Sequence, residues 1–295
     1  MPFSYKPGKI RHGDLEDATS SDPKESLLLC LVHKAIPEEL CQEMLPTLRT
    51  VARSNVAGGN RNKAAGTERV ARLKKDGTRG KIKATPTLND PLLKEADRAR
   101  LRGAKDGTAG FLAAGMRGGQ ALPCRLSSWS RENTAETQGL MPLVKAVNAN
   151  FRRYASKEFD NQLGAAIQSR QWLLGDMDFY SVFTTITVNR SWQTASHVDS
   201  GDLKEGLGVL CCFGDFAGSH LIFPKFRTAV EFRQGDILLA DVGHEVHGNS
   251  ALLFPDGSSA TEHNKPERLS CIFYFQEKIQ HCPVVSESTA RPQQA

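Results

Sequence analysis

Long apolar runs are missing from this chain of 295 residues, and none approaches the roughly 18 residues that a membrane-spanning helix needs. No secretory signal is legible either, since the opening MPFSYKPGKIRHGDLEDATSS is polar. Paired cysteines are lacking as well. The seven cysteines are an odd number without a CxxC, and Cys211 and Cys212 stand side by side in an apolar stretch. That usage implies no disulfide framework and no structural zinc site; it fits small core residues in a reducing compartment. No internal repeat is visible. The expectation is a soluble, intracellular protein.

What is present is an uneven charge. The formal net charge is only +5, but Arg49 to Lys105 carries sixteen Lys and Arg against five Asp and Glu, an excess of eleven that leaves the remaining chain at −6. The basicity is local, and the length allows one large domain or two small ones with a sizeable core.

Residues 1–25 read as a polar tail. SLLLCLVHKAI then suggests a strand, and PEELCQEMLPTLRTVARS a helix, with Pro37 at its start, Glu38 and Glu39 at the positive end of the dipole, and Leu40, Met44, Leu48 and Val51 at helical spacing. Pro46 argues against its continuity. Residues 54–85 are rich in Gly and Lys/Arg and predict a long loop; NDPLLKEADRARLRG predicts a short basic helix, and 103–125 an irregular stretch. A third helix places Leu140, Leu143, Val144, Val147, Phe151 and Tyr154 on one face, with a further helix in NQLGAAIQSRQ. Near residue 175 the pattern changes to six short strands, FYSVFTTITVN, GLGVLCCFGDF, HLIFPKF, TAVEFRQ, DILLADVG and RLSCIFYFQEK, punctuated by Gly, Pro and Asp. Such spacing predicts a sandwich or jelly roll. The expected organisation is one domain over 26–295, with a helical and basic-loop part at 26–174, a β core at 175–280 and a tail at 281–295.

The chemistry concentrates in SWQTASHVDSGD. His197 and Asp199 are one residue apart beyond a strand, so an extended backbone points both to one side. His247 in HEVHGN follows a later strand and can return beside them; His244 is the alternative. Two histidines and a carboxylate make the facial triad of non-heme Fe(II), with positions left open for substrates. Arg268 starts the last strand, where its fork can hold a carboxylate, and Ser270 faces the same side. HxD, a later His and then Arg-x-Ser in a β-rich half is the order expected of 2-oxoglutarate oxygenases.

FTTITVNRSWQTASHVDSGD, GSHLIFPKF, VEFRQGDILLADVGHEVHGN and ERLSCIFYFQ together resemble the core of the TET/JBP family of DNA base oxygenases, over about residues 110–278. The resemblance implies an α+β fold, a double-stranded β-helix of jelly-roll or cupin type with the helical N-terminal half packed around it. It implies Fe(II) and 2-oxoglutarate, with ascorbate as a reductant or alternative co-substrate. It further implies oxidation of the methyl group of a flipped DNA base. Carried onto this chain, His197, Asp199 and His247 would bind iron, and Arg268 and Ser270 would hold 2-oxoglutarate. Asp202 would act at the base, alongside Ile272, Tyr274 and Gln276. Tyr274 reads equally as barrel core. Gln276 stands where relatives that oxidise methylcytosine tend to have histidine, and the segment LLFPDGSSATEHNKPE separates His247 from Arg268 more than usual.

The expected substrate is 5-methylcytosine in double-stranded DNA, with thymine and N6-methyladenine as alternatives; a hydroxylase of proteins or small molecules is the rival class. In this reading the basic segment, including Arg61, Lys63, Arg69, Arg72, Lys74 and Lys75, contacts phosphates. A nuclear monomer with no membrane association is expected.

Overall fold

The computed structural model describes residues 8–11, 26–53, 108–110, 112–117, 120–126, 128–170, 181–261 and 264–281. The strands run β1 (Gly8–Arg11), β2 (Leu27–Val32), β3 (Thr108–Gly110), β4 (Leu112–Arg117), β5 (Gln120–Leu126), β6 (Thr185–Arg190) and β7 (Gly208–Phe213). They continue as β8 (Ala217–Gly218), β9 (Leu221–Phe223), β10 (Thr228–Val230), β11 (Ile237–Ala240), β12 (Gly248–Asn249), β13 (Leu252–Leu253) and β14 (Leu269–Tyr274). The helices are α1 (Glu38–Arg53), α2 (Ser128–Glu132), α3 (Thr134–Gly139), α4 (Met141–Tyr154), α5 (Ser156–Arg170) and α6 (Glu277–Gln280). None is long and apolar enough to cross a membrane among the described residues.

Seven strands form one sheet in the order β1-β2-β11-β7-β14-β6-β3, antiparallel at every pairing. A smaller sheet, β10-β9-β12, and the pair β13-β8 complete the β part beyond the hairpin β4-β5. The apolar runs of the large sheet are continuous because its strands are covered on both faces. On β7, Val209, Cys211 and Phe213 join a core with α1 and α4 residues such as Met44, Leu48, Val147 and Phe151. Leu210 and Cys212, one residue out of phase, join a second core with Leu221, Phe223 and Val230 of the smaller sheet. The same alternation splits Ile237 and Leu239 from Leu238 and Ala240 on β11. Period two thus assigns each strand residue to one of two cores.

Three expectations change. Gly8–Arg11, inside the supposed tail, is an edge strand paired with β2, with Ile10 fully buried. The stretch 103–125, expected to be irregular, contributes β3 to the edge of the large sheet and carries β4 with most of β5 as a hairpin. Its small residues gave little apolar signal, although the sequence Gly-Gly at 118–119 is a dipeptide favoured in hairpin turns. α1 passes through Pro46 unbroken, because Pro46 is exposed and the carbonyl it leaves without an N–H can face water. The basic loop and the basic helix expected over 54–105 lie outside the described residues.

Candidate active site

A cavity of about 520 Å³ lies between the two sheets. It exists because β14, β6 and β7 run side by side: Ser270 is opposite Asn189 and Cys212, and Ile272 is opposite Thr187 and Leu210. Every second residue of the β14 segment therefore faces inward, and Arg268, Ser270, Ile272, Tyr274 and Gln276 all line the cavity. His197, Asp199, Asp202 and His247 line it from the other side. The nine residues singled out for the site in the β core are thus brought to one place. Arg61, Lys63, Arg69, Arg72, Lys74 and Lys75 lie outside the described residues.

His197 and His247 form an isolated antiparallel bridge, with N–H···O distances of 2.8 and 2.9 Å, so their rings sit together at a centroid distance of 4.4 Å. Each ring turns Nδ1 to a backbone carbonyl two residues earlier, Ala195 at 2.7 Å and Glu245 at 3.0 Å. A proton on each Nδ1 satisfies those carbonyls and leaves Nε2 with a lone pair. Both Nε2 atoms face Asp199, at 3.4 Å from Oδ1 and 3.6 Å from Oδ2. Without a metal, Nε2–H groups would face the carboxylate instead; burial would raise Asp199, but the hydrogen bonds and charges that His197 and His247 then supply outweigh it and hold the group well below the ordinary carboxylate range. Three electron-rich atoms within 4.8 Å of one another are mutually stabilised by a cation. The donor set, two imidazoles and one carboxylate, suits a first-row divalent metal with open positions.

His244 is not part of this cluster: its Nδ1 pairs with Asp241 at 2.7 Å and its side chain is half exposed. His220 faces Glu231 at 3.9 Å.

Arg268 is 3% exposed, and its Nε has no hydrogen-bond partner among the described residues. Its guanidinium lies over the rings of Phe216, at 5.4 Å, and Phe232, at 5.9 Å. The neighbouring Cys212 sulfur accepts a hydrogen bond from Arg268, but burial pushes its thiol up to about 12 despite that cation, so it offers no charge to balance it. A buried guanidinium stripped of water fits a carboxylate ligand.

At the other end, the turn Asp199–Asp202 is tied to the end of β14. Leu203 N–H donates to Phe275 O, Glu277 N–H donates to Gly201 O, and Asp202 is bridged to Gln276. Asp202 Oδ2 is buried without a partner among the described residues, and burial first, then the Asp199 charge, raises this carboxyl well above its ordinary value. Gln276 donates its side-chain N–H to Thr185 Oγ1 at 3.0 Å. Thr187, Asn189, Thr194, Asn249 and Lys278 also line the cavity, and sequence reasoning missed them. Thr185, Thr187 and Asn189, alternating with apolar residues in TITVN, were the available signal.

An antiparallel β core with an aligned His-Asp-His cluster and a buried arginine that has no acidic partner among the described residues defines a metal-dependent oxygenase domain of the 2-oxoglutarate type. Residues 111–277 match the family model Tet_JBP, the oxygenase domain of the 2OGFeDO superfamily, and the chain belongs to that family. It is 38% identical over 134 residues to the bifunctional helicase and thymine dioxygenase JBP2 of Leishmania tarentolae, a match covering 45% of this chain and 12% of the relative. It is 31% identical over 175 residues to the thymine dioxygenase JBP1 of Trypanosoma brucei brucei, covering 59% of this chain and 19% of the relative. The chain thus spans a small part of the curated relatives it matches. The solved structure of NgTET1 in complex with 5mC DNA superposes with a TM-score of 0.52 at 10% identity, covering 88% of this chain and 76% of that one, and supports the fold. Fe(II) and 2-oxoglutarate are the cofactors of the superfamily, and both the triad and the orphaned Arg268 fit them.

Proposed function

We propose that the chain oxidises the 5-methyl group of a pyrimidine flipped out of double-stranded DNA. The observation that carries the reading is the lining of one cavity: a buried guanidinium whose Nε has no partner among the described residues, the His-Asp-His cluster, and Tyr274, Asp202 and Gln276 along the same strand segment and the turn bridged to it. In this reading the two sheets are the halves of a double-stranded β-helix; β14 carries one wall of the site, and segments tied to it and to each other by isolated bridges carry the metal ligands.

His197, Asp199 and His247 would hold Fe(II) through Nε2, carboxylate and Nε2 donors. Bound Fe(II) with 2-oxoglutarate and O₂ supplies the oxidising power: the co-substrate becomes succinate and CO₂, and a methyl C–H becomes C–OH. Arg268 and Ser270 fix the far carboxylate of 2-oxoglutarate, and Phe216 and Phe232 keep water from that ion pair. Ile272 and Tyr274 pack against the base, which costs a few kcal/mol to unstack. Asp202 and Gln276 meet its polar edge. Each can hydrogen bond to either thymine or 5-methylcytosine, so the chemistry of the walls leaves both bases admissible. The relatives at 31–38% identity are named thymine dioxygenases, which favours thymine over the 5-methylcytosine expected from sequence motifs. The local basic segment, with Arg61, Lys63, Arg69, Arg72, Lys74 and Lys75 among its cations, would supply phosphate contacts without base information. A monomer acting in the nucleus remains part of the proposal.

The test is mass spectrometry of nucleosides from duplexes carrying thymine, 5-methylcytosine or N6-methyladenine, incubated with the chain, Fe(II) and 2-oxoglutarate. A hydroxymethyl product from one pyrimidine, lost with Asp199→Ala, is the expected result. Succinate formation with every base unchanged would overturn the DNA reading and leave the oxygenase site intact.

A further inference from the structure

Arg268 reaches the cavity from a segment that follows a long excursion between the sheets, and its placement depends on how residues 266–268 are held. Ser191 holds the backbone. Its hydroxyl donates to Pro266 O at 2.7 Å and accepts from Arg268 N–H at 3.3 Å, while its own N–H donates to Arg268 O at 2.7 Å. Gly214 closes the other side in a left-handed conformation, φ +104°, and a Cβ there would lie 2.3 Å from Glu267 O.

Glu267 adds two cations from different elements. Arg49 of α1 donates from Nε and Nη2 to Oε2, at 2.9 and 2.6 Å, and Arg190 at the end of β6 places Nη2 3.1 Å from Oε1. Each carboxylate oxygen is therefore claimed separately, which fixes the plane of the group. Arg49 and Arg190 are 43% and 44% exposed. Ion pairs this open to water add little to global stability. They do restrict position, because the carboxylate can satisfy both only where α1, β6 and the start of β14 meet.

We propose that Glu267 is the positioning residue for co-substrate binding: clamped by Arg49 and Arg190, it sets where the adjacent Arg268 presents its guanidinium to the far carboxylate of 2-oxoglutarate. The inference rests on the reading of Arg268 given above. Side-chain packing of Arg268 between Phe216 and Phe232 narrows its orientation, and Glu267 fixes the backbone from which it extends.

The experiment is calorimetric binding to the manganese-loaded full chain with two ligands, 2-oxoglutarate and pyruvate. Pyruvate has the same metal-chelating 2-oxo acid end and no far carboxylate. If the wild type binds both equally, the role of Arg268 falls and with it the proposed co-substrate geometry. With a wild-type preference for 2-oxoglutarate, Glu267→Ala is expected to weaken 2-oxoglutarate on the order of ten-fold, the loss of a misplaced charge-assisted hydrogen bond. Pyruvate and manganese affinities should stay within about two-fold, the margin expected of a distant change. In an Arg268→Met background the same substitution should cost 2-oxoglutarate nothing further. Glu267→Gln, which keeps the shape and loses the charge, should fall between wild type and Ala and serves if Ala does not fold. Equal losses for both ligands, or no loss for 2-oxoglutarate in either variant, would overturn the proposal.

Discussion

His197 and His247 are bound to each other through their backbones, N–H to O in both directions at 2.8 and 2.9 Å, before any side chain is considered. Two positions about 50 residues apart in sequence thereby become neighbours, and their rings inherit that proximity. The pair is the frame on which Asp199 completes the donor set.

Asp199→Ala removes the only carboxylate of the triad. Manganese or cobalt affinity should drop by more than about 100-fold, beyond the 10–100-fold typical of residues that merely support a ligand. Titration calorimetry reads it directly. An unchanged affinity would mean that the metal, if bound, sits elsewhere.

Gly248 lies directly after His247, where a Cβ would stand 3.2 Å from the Ala195 carbonyl and from Ser196 Cα. Gly248→Ala should force these backbones apart at a cost of about 1–3 kcal/mol. Metal affinity should fall with stability, since the same backbones carry the histidines. Gly164→Ala offers the contrast: nothing lies within 4 Å of its Cβ on α5, so a gain of roughly 0.5–1 kcal/mol is expected. Thermal melts of both variants decide the matter, and equal behaviour would refute the packing argument.

Asp202 predicts an alkaline penalty. Its folded pKa lies above the unfolded value of roughly 3.9, so the native state holds this proton while the unfolded chain releases it. The associated stability is present below the unfolded pKa and is lost as the pH rises through the folded one. Relative to wild type, Asp202→Asn in the metal-free protein should gain stability as the pH rises above about 4, with melting-point changes of roughly 2–4 °C per kcal/mol. Asp199 runs the other way. Its lowered folded pKa gives stability that is present above about pH 4 and lost as the pH falls through the folded value. A flat pH dependence of the Asn–wild type difference would show that Asp202 is solvated.

Arg268 is a buried cation whose balancing charge must come from a ligand. Adding 2-oxoglutarate to the manganese-loaded wild type should raise its melting temperature, by about 2.7 kcal/mol of stabilisation at a hundred times Kd. Arg268→Met should melt at or above the unliganded wild type, since a buried unpaired charge is replaced by an apolar chain of similar length. It should no longer respond to 2-oxoglutarate. A variant that still shifts with the co-substrate would place the carboxylate elsewhere.

Much of the site was legible because its ingredients are local. HxD on an extended backbone, a later HGN and Arg-x-Ser each follow from spacing, and all nine side chains of the β-core site face one cavity. The helices with strong apolar periodicity, α1 and α4, were equally readable. What escaped were features without a large apolar signature. The pairing of Gly8–Arg11 with β2 is tertiary, β3 to β5 are built largely from Gly, Ala and other small residues, and Pro46 is tolerated only because it faces solvent. Nor could spacing show that Glu267 is gripped by arginines from α1 and β6, because those partners are 218 and 77 positions away in the chain.

β14 has a consequence for how this chain can change its length. Arg268, Ser270, Ile272, Tyr274 and Gln276 span about 27 Å at strand rise, and the intervening Leu269, Cys271, Phe273 and Phe275 are buried in apolar surroundings. Inserting or deleting one residue here would exchange the two sets, turning an arginine and a glutamine toward oil and two phenylalanines toward the cavity. Substitutions can tune this strand one position at a time, whereas an indel is an all-or-none event. The loop Phe254–Thr261 carries no such phase, and variation in length belongs there.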